Sequence, residues 1–287
     1  MLAIYKKEMR TYFTNMMGYV FLAFLLLLIG IFFTLLNVRS MDGNFHFVLA
    51  NVTVFFFILV PVLTMRLFSE ESRQKTDQLL YTSPLTVTGI VLGKFFAALS
   101  LFLIGVAVTV VMPFLLRNYG DLPVAQIAGA YIGFVLLGAA CIAIGVFVSV
   151  LTESQIIAAV GTMGAIFVMF LSDAIAVSMP TSTFASLMFV LFVIACVVAV
   201  WYNSTRRILA AVIVGIIGLA VAGGLYIFND LIFDGIIVRV LLWFSIFTRF
   251  DFFARGALRI SDIVYYISFA ALFIYLTVNV IEKRRWR

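Results

Sequence analysis

Charge is scarce in this chain. Asp, Glu, Lys and Arg make up 11% of its 287 residues, against about a quarter in soluble domains. Histidine occurs once and cysteine twice. Cys141 and Cys196 both lie in apolar runs, far from any second Cys or His, and read as small buried hydrophobes rather than a redox or metal pair. The single His46 has no nearby cluster of ligands, and neither H-E-x-x-H nor G-x-S-x-G occurs. Metal-assisted and nucleophilic hydrolysis are therefore not expected of this chain, and no metal site is. A phosphate-binding loop is missing too. Gly89-Ile-Val-Leu-Gly93-Lys94-Phe95 has three residues between its glycines instead of four, and Phe where a magnesium-binding hydroxyl belongs.

What is abundant is apolar side chain, at 65% of residues with 31 Phe. No soluble globule can hide so much. Uncharged stretches long enough to cross a bilayer, which takes roughly 20 residues, centre on 17–36, 47–66, 90–116, 124–151, 155–178, 184–202, 208–228 and 262–281. The expectation is an all-α polytopic membrane protein of about eight spans, or six if the pair at 184–228 does not cross. The first span holds fourteen Leu, Ile, Phe or Val, which favours insertion by roughly 4 to 8 kcal/mol. Pro61 and Pro113 lie within spans and should kink them. The pairs Gly89/Gly93 and Gly129/Gly133 have a spacing that lets helices approach closely, but such pairs arise often by chance.

Orientation follows from the basic residues. An even span number puts both termini on one side, where thirteen Lys and Arg gather, Lys6, Lys7, Arg10 and Lys283 among them; six fall opposite. That bias places both termini in the cytoplasm. The net charge of +6 sits beside apolar runs and argues for a lipid surface, not for nucleic acid.

Residues 1–15 read as an amphipathic interfacial helix, with Leu2, Tyr5, Met9, Tyr12 and Phe13 facing lipid tails and Lys6, Lys7 and Arg10 facing headgroups. Residues 67–89 form the only substantial cytoplasmic loop. There Ser69 can cap a short helix, Glu70 and Glu71 suit its first turn, and Leu79, Leu80 and Tyr81 form an apolar tip suited to docking another protein. Ser83-Pro84 ends it. On the other side, residues 229–261 form an amphipathic extracytoplasmic segment in which Arg249, Asp251 and Arg255 alternate with aromatics. Lys94 and Arg66 are placed to snorkel to the inner face. Asp173 is the one acid within a span, near its outer end.

The stretch Phe68–Thr86, FSEESRQKTDQLLYTSPLT, resembles the F-x-E-E-[RK]-x-x-G-T-x-E-x-L-L-x-[ST]-P segment of type-2 ABC exporter permeases. Phe68, Glu70, Glu71, Thr76, Leu80, Ser83 and Pro84 match, and Leu79 with Leu80 supplies the leucine pair one place early. Arg73 is one place from the basic position, Asp77 stands near the usual acid, and Lys75 replaces the usual Gly. Arg249, Phe250, Asp251, Phe253, Ala254, Arg255, Gly256, Asp262, Tyr265, Tyr266 and the ending Glu282–Trp286 resemble the gliding-motility-type subset. The resemblance implies one permease domain over 1–287, in a bacterial cytoplasmic membrane, partnered by two copies of an ABC ATPase and a second permease, identical or different. It implies that ATP and magnesium are held by the ATPase, with no cofactor and no catalysis in this chain. Glu70, Glu71, Arg73, Thr76, Asp77, Leu79, Leu80 and Pro84 would then couple ATP use to export of a hydrophobic or amphipathic substrate. Two other readings stand beside it: an ion-coupled carrier using Asp173, and a non-transporting scaffold.

Overall fold

A computed structural model describes residues 1–41, 43–76, 86–116, 123–205, 215–216 and 235–285. All regular structure among them is helical. The interfacial helix is α1 (Leu2–Thr14), and the first span is α2 (Met16–Phe33), which ends in a π-helical turn over Thr34–Val38. The second uncharged stretch is broken into α3 (His46–Thr53) and α4 (Phe56–Thr64), bent by 67°. The break lies at Val54–Phe55, upstream of Pro61, which is carried inside α4. A short α5 (Ser69–Arg73) follows.

The third span is α6 (Val87–Thr109), capped by the Thr86 hydroxyl, which accepts the Gly89 N–H at 3.2 Å. It breaks at Val110 and resumes as α7 (Val111–Leu115). Pro113 is the cause: it lacks the N–H that would bond the Thr109 carbonyl. Then come α8 (Val124–Leu151), α9 (Gln155–Ser178), α10 (Thr183–Thr205), the short α11 (Ile236–Phe244) and α12 (Thr248–Ala254), and α13 (Ile260–Arg285).

The protein is thus an all-α polytopic membrane protein. Among the described residues, five helices are long and apolar enough to cross, or six with the bent α3–α4 pair as one span. These six coincide with the expected spans outside 184–228. Of the remaining pair, 184–202 is helical in α10, while 208–228 lies almost wholly outside the described residues.

Two compact units are distinguished, residues 1–170 with 246–287 and residues 171–245. The second contains the end of α9, α10 and α11, with the Gly235 N–H donated to the Thr181 carbonyl at 3.3 Å. Asp173 is half-buried there, and Cys196 is exposed, unlike the fully buried Cys141. In the first unit α8 is the axis; 67% of its apolar window is buried against protein, compared with 22% for α2. Packing against α8 are α4, α6, α12 and α13. Phe56, Phe102 and Phe134 form an aromatic knot in which the Phe56 and Phe134 centroids are 4.9 Å apart.

Lipid tails are as apolar as Leu, so close packing and polar bonds hold spanning helices together. The Gly129/Gly133 pair serves that purpose. A Cβ at Gly133 would fall 2.6 Å from Phe253 Cβ, and one at Gly129 would fall 2.6 Å from the Phe253 carbonyl oxygen. Close approach of α12 to α8 needs both positions bare.

Candidate functional site

The second turn of α6 receives α1. Gly93 lets the backbone of α1 come near, since a Cβ there would lie 3.1 Å from Ile4 Cβ. The inward face of α1 is Ile4, Tyr5, Glu8 and Tyr12, with Ile4 and Glu8 buried while Leu2 is exposed. The Tyr5 hydroxyl donates to Ser100 Oγ at 3.0 Å, and the Tyr12 hydroxyl donates to the Leu63 carbonyl at 3.0 Å. Helical spacing of four residues turns Ile4, Glu8 and Tyr12 to one side, which carries an acid into the apolar face.

Lys94 is waiting for it. The sequence suggests a side chain that snorkels to the surface; instead Lys94 is 1% exposed. Its Nζ lies 2.9 Å from Glu8 Oε1 and 2.9 Å from Glu71 Oε2, and it donates to the Leu67 carbonyl. An ammonium has three N–H donors, and these three acceptors use all of them. The Phe68 ring closes the pocket, 4.9 Å from Nζ. Burial explains the departure: an unpaired charge here would be costly, and two carboxylates remove that cost, while a snorkelled lysine would leave Glu8 with only the 4.0 Å contact to Lys7.

Lys7 completes the charge balance, with Nζ 2.8 Å from Glu71 Oε1 and 4.0 Å from Glu8 Oε1. Two cations thus face two carboxylates. Burial works against ionisation of Glu71, yet the Lys94 charge and the hydrogen bonds from Lys7 and Lys94 outweigh it and hold the carboxyl below its usual range. For Lys7, partial burial opposes the charge, but the hydrogen bond to Glu71 and the Glu71 and Glu8 charges prevail and raise it. A cavity of about 310 Å³ opens beside this cluster, lined among others by Tyr12, Arg66, Gln74 and Thr76.

The short helix α5 is closed at both of its ends. Ser69 does not cap α5. The preceding residue, Phe68, stands at the N-cap, and the Ser69 hydroxyl donates back to the Met65 carbonyl. The free N–H groups of Phe68 and Ser69 instead donate to Ser149 Oγ of α8, at 3.0 and 3.3 Å, so a neighbouring helix supplies the cap. At the other end the Lys75 N–H donates to the Ser72 carbonyl and the Thr76 N–H to the Glu71 carbonyl. That pair of bonds is a Schellman turn, which puts its penultimate residue in the left-handed region and favours Gly there. Lys75 occupies it with φ of 56°. The resembled segment has Gly at this place, and the turn forms here with Lys75 in its stead.

Of the sequence-derived coupling residues, Glu71 points inward to Lys94 and Lys7. Glu70 is half-exposed, 3.9 Å from Arg66, and Arg73 is exposed. The Thr76 hydroxyl donates to the Glu71 carbonyl at 3.3 Å. Asp77, Leu79, Leu80 and Pro84 lie outside the described residues, as does Ser83. Among the described residues no group of three His, Cys, Asp or Glu is arranged to hold a metal. Sequence reasoning passes over Glu8 and gives Lys94 only a snorkelling role. The signal was present: Glu8 is the one acid in α1, in register with Ile4 and Tyr12.

A second polar cluster marks the other end of α8. Ser149, at the loop, and Gly129, at α12, are twenty residues apart on this helix, or about 30 Å, the thickness of a hydrocarbon core. There Arg249 Nη1 meets Asp262 Oδ1 at 2.8 Å and its guanidinium lies 3.9 Å over the Tyr265 ring. The Tyr266 hydroxyl donates to the Ile246 carbonyl. Thus α12 is clipped to the start of α13.

The sequence matches a family model described as ABC-2 family transporter protein over residues 4–208. Neither a curated protein nor a solved structure matches the chain.

Proposed function

Because the chain belongs to the ABC-2 transporter family, and so is a multi-pass membrane permease component of an ABC transporter, we propose that it works as the coupling half of an ATP-driven exporter. ATP is bound and hydrolysed on a separate ATPase subunit, present in two copies, and a second permease chain, identical or different, completes the membrane body. Both termini and the 67–89 loop face the cytoplasm of a bacterial cell, and residues 229–261 face outward. The loop is a coupling element, with Glu70, Glu71, Arg73, Thr76, Asp77, Leu79, Leu80 and Pro84 as its working residues. The substrate is hydrophobic or amphipathic, in keeping with spans rich in Phe and poor in charge.

One observation carries this reading. A charged loop that follows the broken second span is fastened to three other helices at once: by Ser149 to α8, by Lys94 to α6 and by Lys7 to α1. A push on such a loop reaches the membrane helices directly, which is what an engine on another chain requires.

The test is purification of the tagged protein from its native membrane in mild detergent, followed by assay for vanadate-sensitive ATP hydrolysis. A hydrolysing subunit should co-purify with the wild type and be lost with Leu80→Asp, while membrane insertion persists. Wild-type hydrolysis and co-purification in Leu80→Asp would overturn the assignment of the loop, and no hydrolysing partner at all would overturn the reading.

A further inference from the structure

We propose that Lys94 is a positioning residue through which Glu71 acts, joining α1, α5 and the start of α6 into one moving part, so that Glu71 is an internal joint and not a contact with the ATPase. This inference rests on the coupling reading above and deepens it.

Geometry supports it first. Glu71 presents both carboxylate oxygens to this protein's own cations, Oε1 to Lys7 at 2.8 Å and Oε2 to Lys94 at 2.9 Å. A partner chain would have to displace one of these to reach it. Glu70, half-exposed, and Arg73, exposed, are the residues of the same turn left to face outward.

Saturation is the second argument. All three Lys94 donors are engaged, by Glu8 of α1, by Glu71 of α5 and by the Leu67 carbonyl. If α5 moved alone, Lys94 would lose Glu71 while remaining nearly inaccessible to water, at 1% exposure. Low dielectric makes such a separation far costlier than moving the three elements together. The weaker contacts at the rim agree, because Lys7 spans Glu71 and Glu8 and so tightens the same junction. The Lys94 ammonium is therefore the pin at which force entering α5 divides between the interfacial helix and the third span.

A double-mutant cycle on the whole permease–ATPase complex in lipid vesicles tests this, reading both co-purified ATPase and vanadate-sensitive hydrolysis. Glu71→Gln and Lys94→Gln should each keep the ATPase at wild-type stoichiometry and lower hydrolysis about tenfold, with the double variant no lower than either single one. Merely structural damage would instead lower the amount of complex. Should Lys94→Gln fail to accumulate, Lys94→Arg takes its place in the cycle, with the same non-additivity expected. Additive losses, or loss of the ATPase from Glu71→Gln but not from the residue 94 variant, would overturn the proposal and leave the coupling reading standing. A wild-type complex with no ATPase would overturn both.

Discussion

The two polar clusters at the ends of α8 solve different problems with similar chemistry. At the α12 end, Arg249 and Asp262 are thirteen residues apart in sequence, and their ion pair closes a local turn. At the loop end, Lys94 and Glu8 are separated by 86 residues, and the same ammonium also holds Glu71. The Arg249 cluster is partly open, with the Arg249 side chain 25% exposed and neither Arg249 Nε nor Asp262 Oδ2 hydrogen-bonded among the described residues. Lys94 has no spare donor. A local clip with slack suits a fixed corner, while a saturated long-range junction suits a joint that must transmit load.

Removing the centre of each cluster should separate them most. Lys94→Met leaves the buried Glu8 and Glu71 with only Lys7 to balance them, and removing one partner of a buried pair typically costs about 3–5 kcal/mol. Asp262→Ala leaves Arg249 with the Tyr265 ring and partial access to water, so about 1.5–3 kcal/mol is expected, the range for a hydrogen bond to a charged group. Thermal melting in detergent measures both. Equal losses would mean that the two clusters do the same job. Acid sharpens the contrast. Glu71 is held below its usual range, so its stabilisation is complete above the ordinary glutamate value and is lost as pH falls through the depressed one. Lys7 is raised, so its share is complete below the ordinary lysine value and fades as pH climbs through the raised one. Melting temperature should be flat between those limits, and Glu71→Gln should blunt the acid fall.

The spans were legible because membrane helices must bury every backbone group and so announce themselves as long uncharged runs. Pro113 was legible for an equally local reason. The break in α3–α4 was not, since it lies at Val54–Phe55 and not at Pro61. The loop-end cluster was half-legible. Glu70 and Glu71 stood out as first-turn acids, but helix phase alone could not say which faced outward. Lys94 read as a snorkelling residue because nothing near it in sequence carries the opposite charge; its partners arrive from other elements. The protein-facing side of α1 is illegible for the same reason. Leu2, Tyr5, Met9, Tyr12 and Phe13 read as a stripe toward lipid tails; Leu2 is exposed, but Tyr5 and Tyr12 bond to Ser100 and the Leu63 carbonyl, and Ile4 and Glu8 are the residues that α6 covers, because Gly93 and Lys94 fit them. Ser69 looked like a cap until Ser149 was found to be one.

Smaller effects probe how far the loop's own turn contributes to that joint. Lys75 holds a left-handed conformation at the close of α5, which costs a residue with a Cβ roughly 1–2 kcal/mol. Glycine relieves this strain but is more flexible when unfolded, so Lys75→Gly should stabilise by about 0.5–1 kcal/mol. A loss on melting would show that the lysine side chain does something that its exposed position does not explain. Glu70→Gln removes only a 3.9 Å pair with Arg66, both side chains more than a third exposed. Pairs of that kind are worth about 0–1 kcal/mol, so melting should barely move. Its neighbour Glu71 differs by one residue and by the direction it faces. If Glu70→Gln leaves stability untouched yet removes the ATPase, while Glu71→Gln keeps the ATPase and slows it, then one turn of helix has divided its two acids between the partner outside and the joint within.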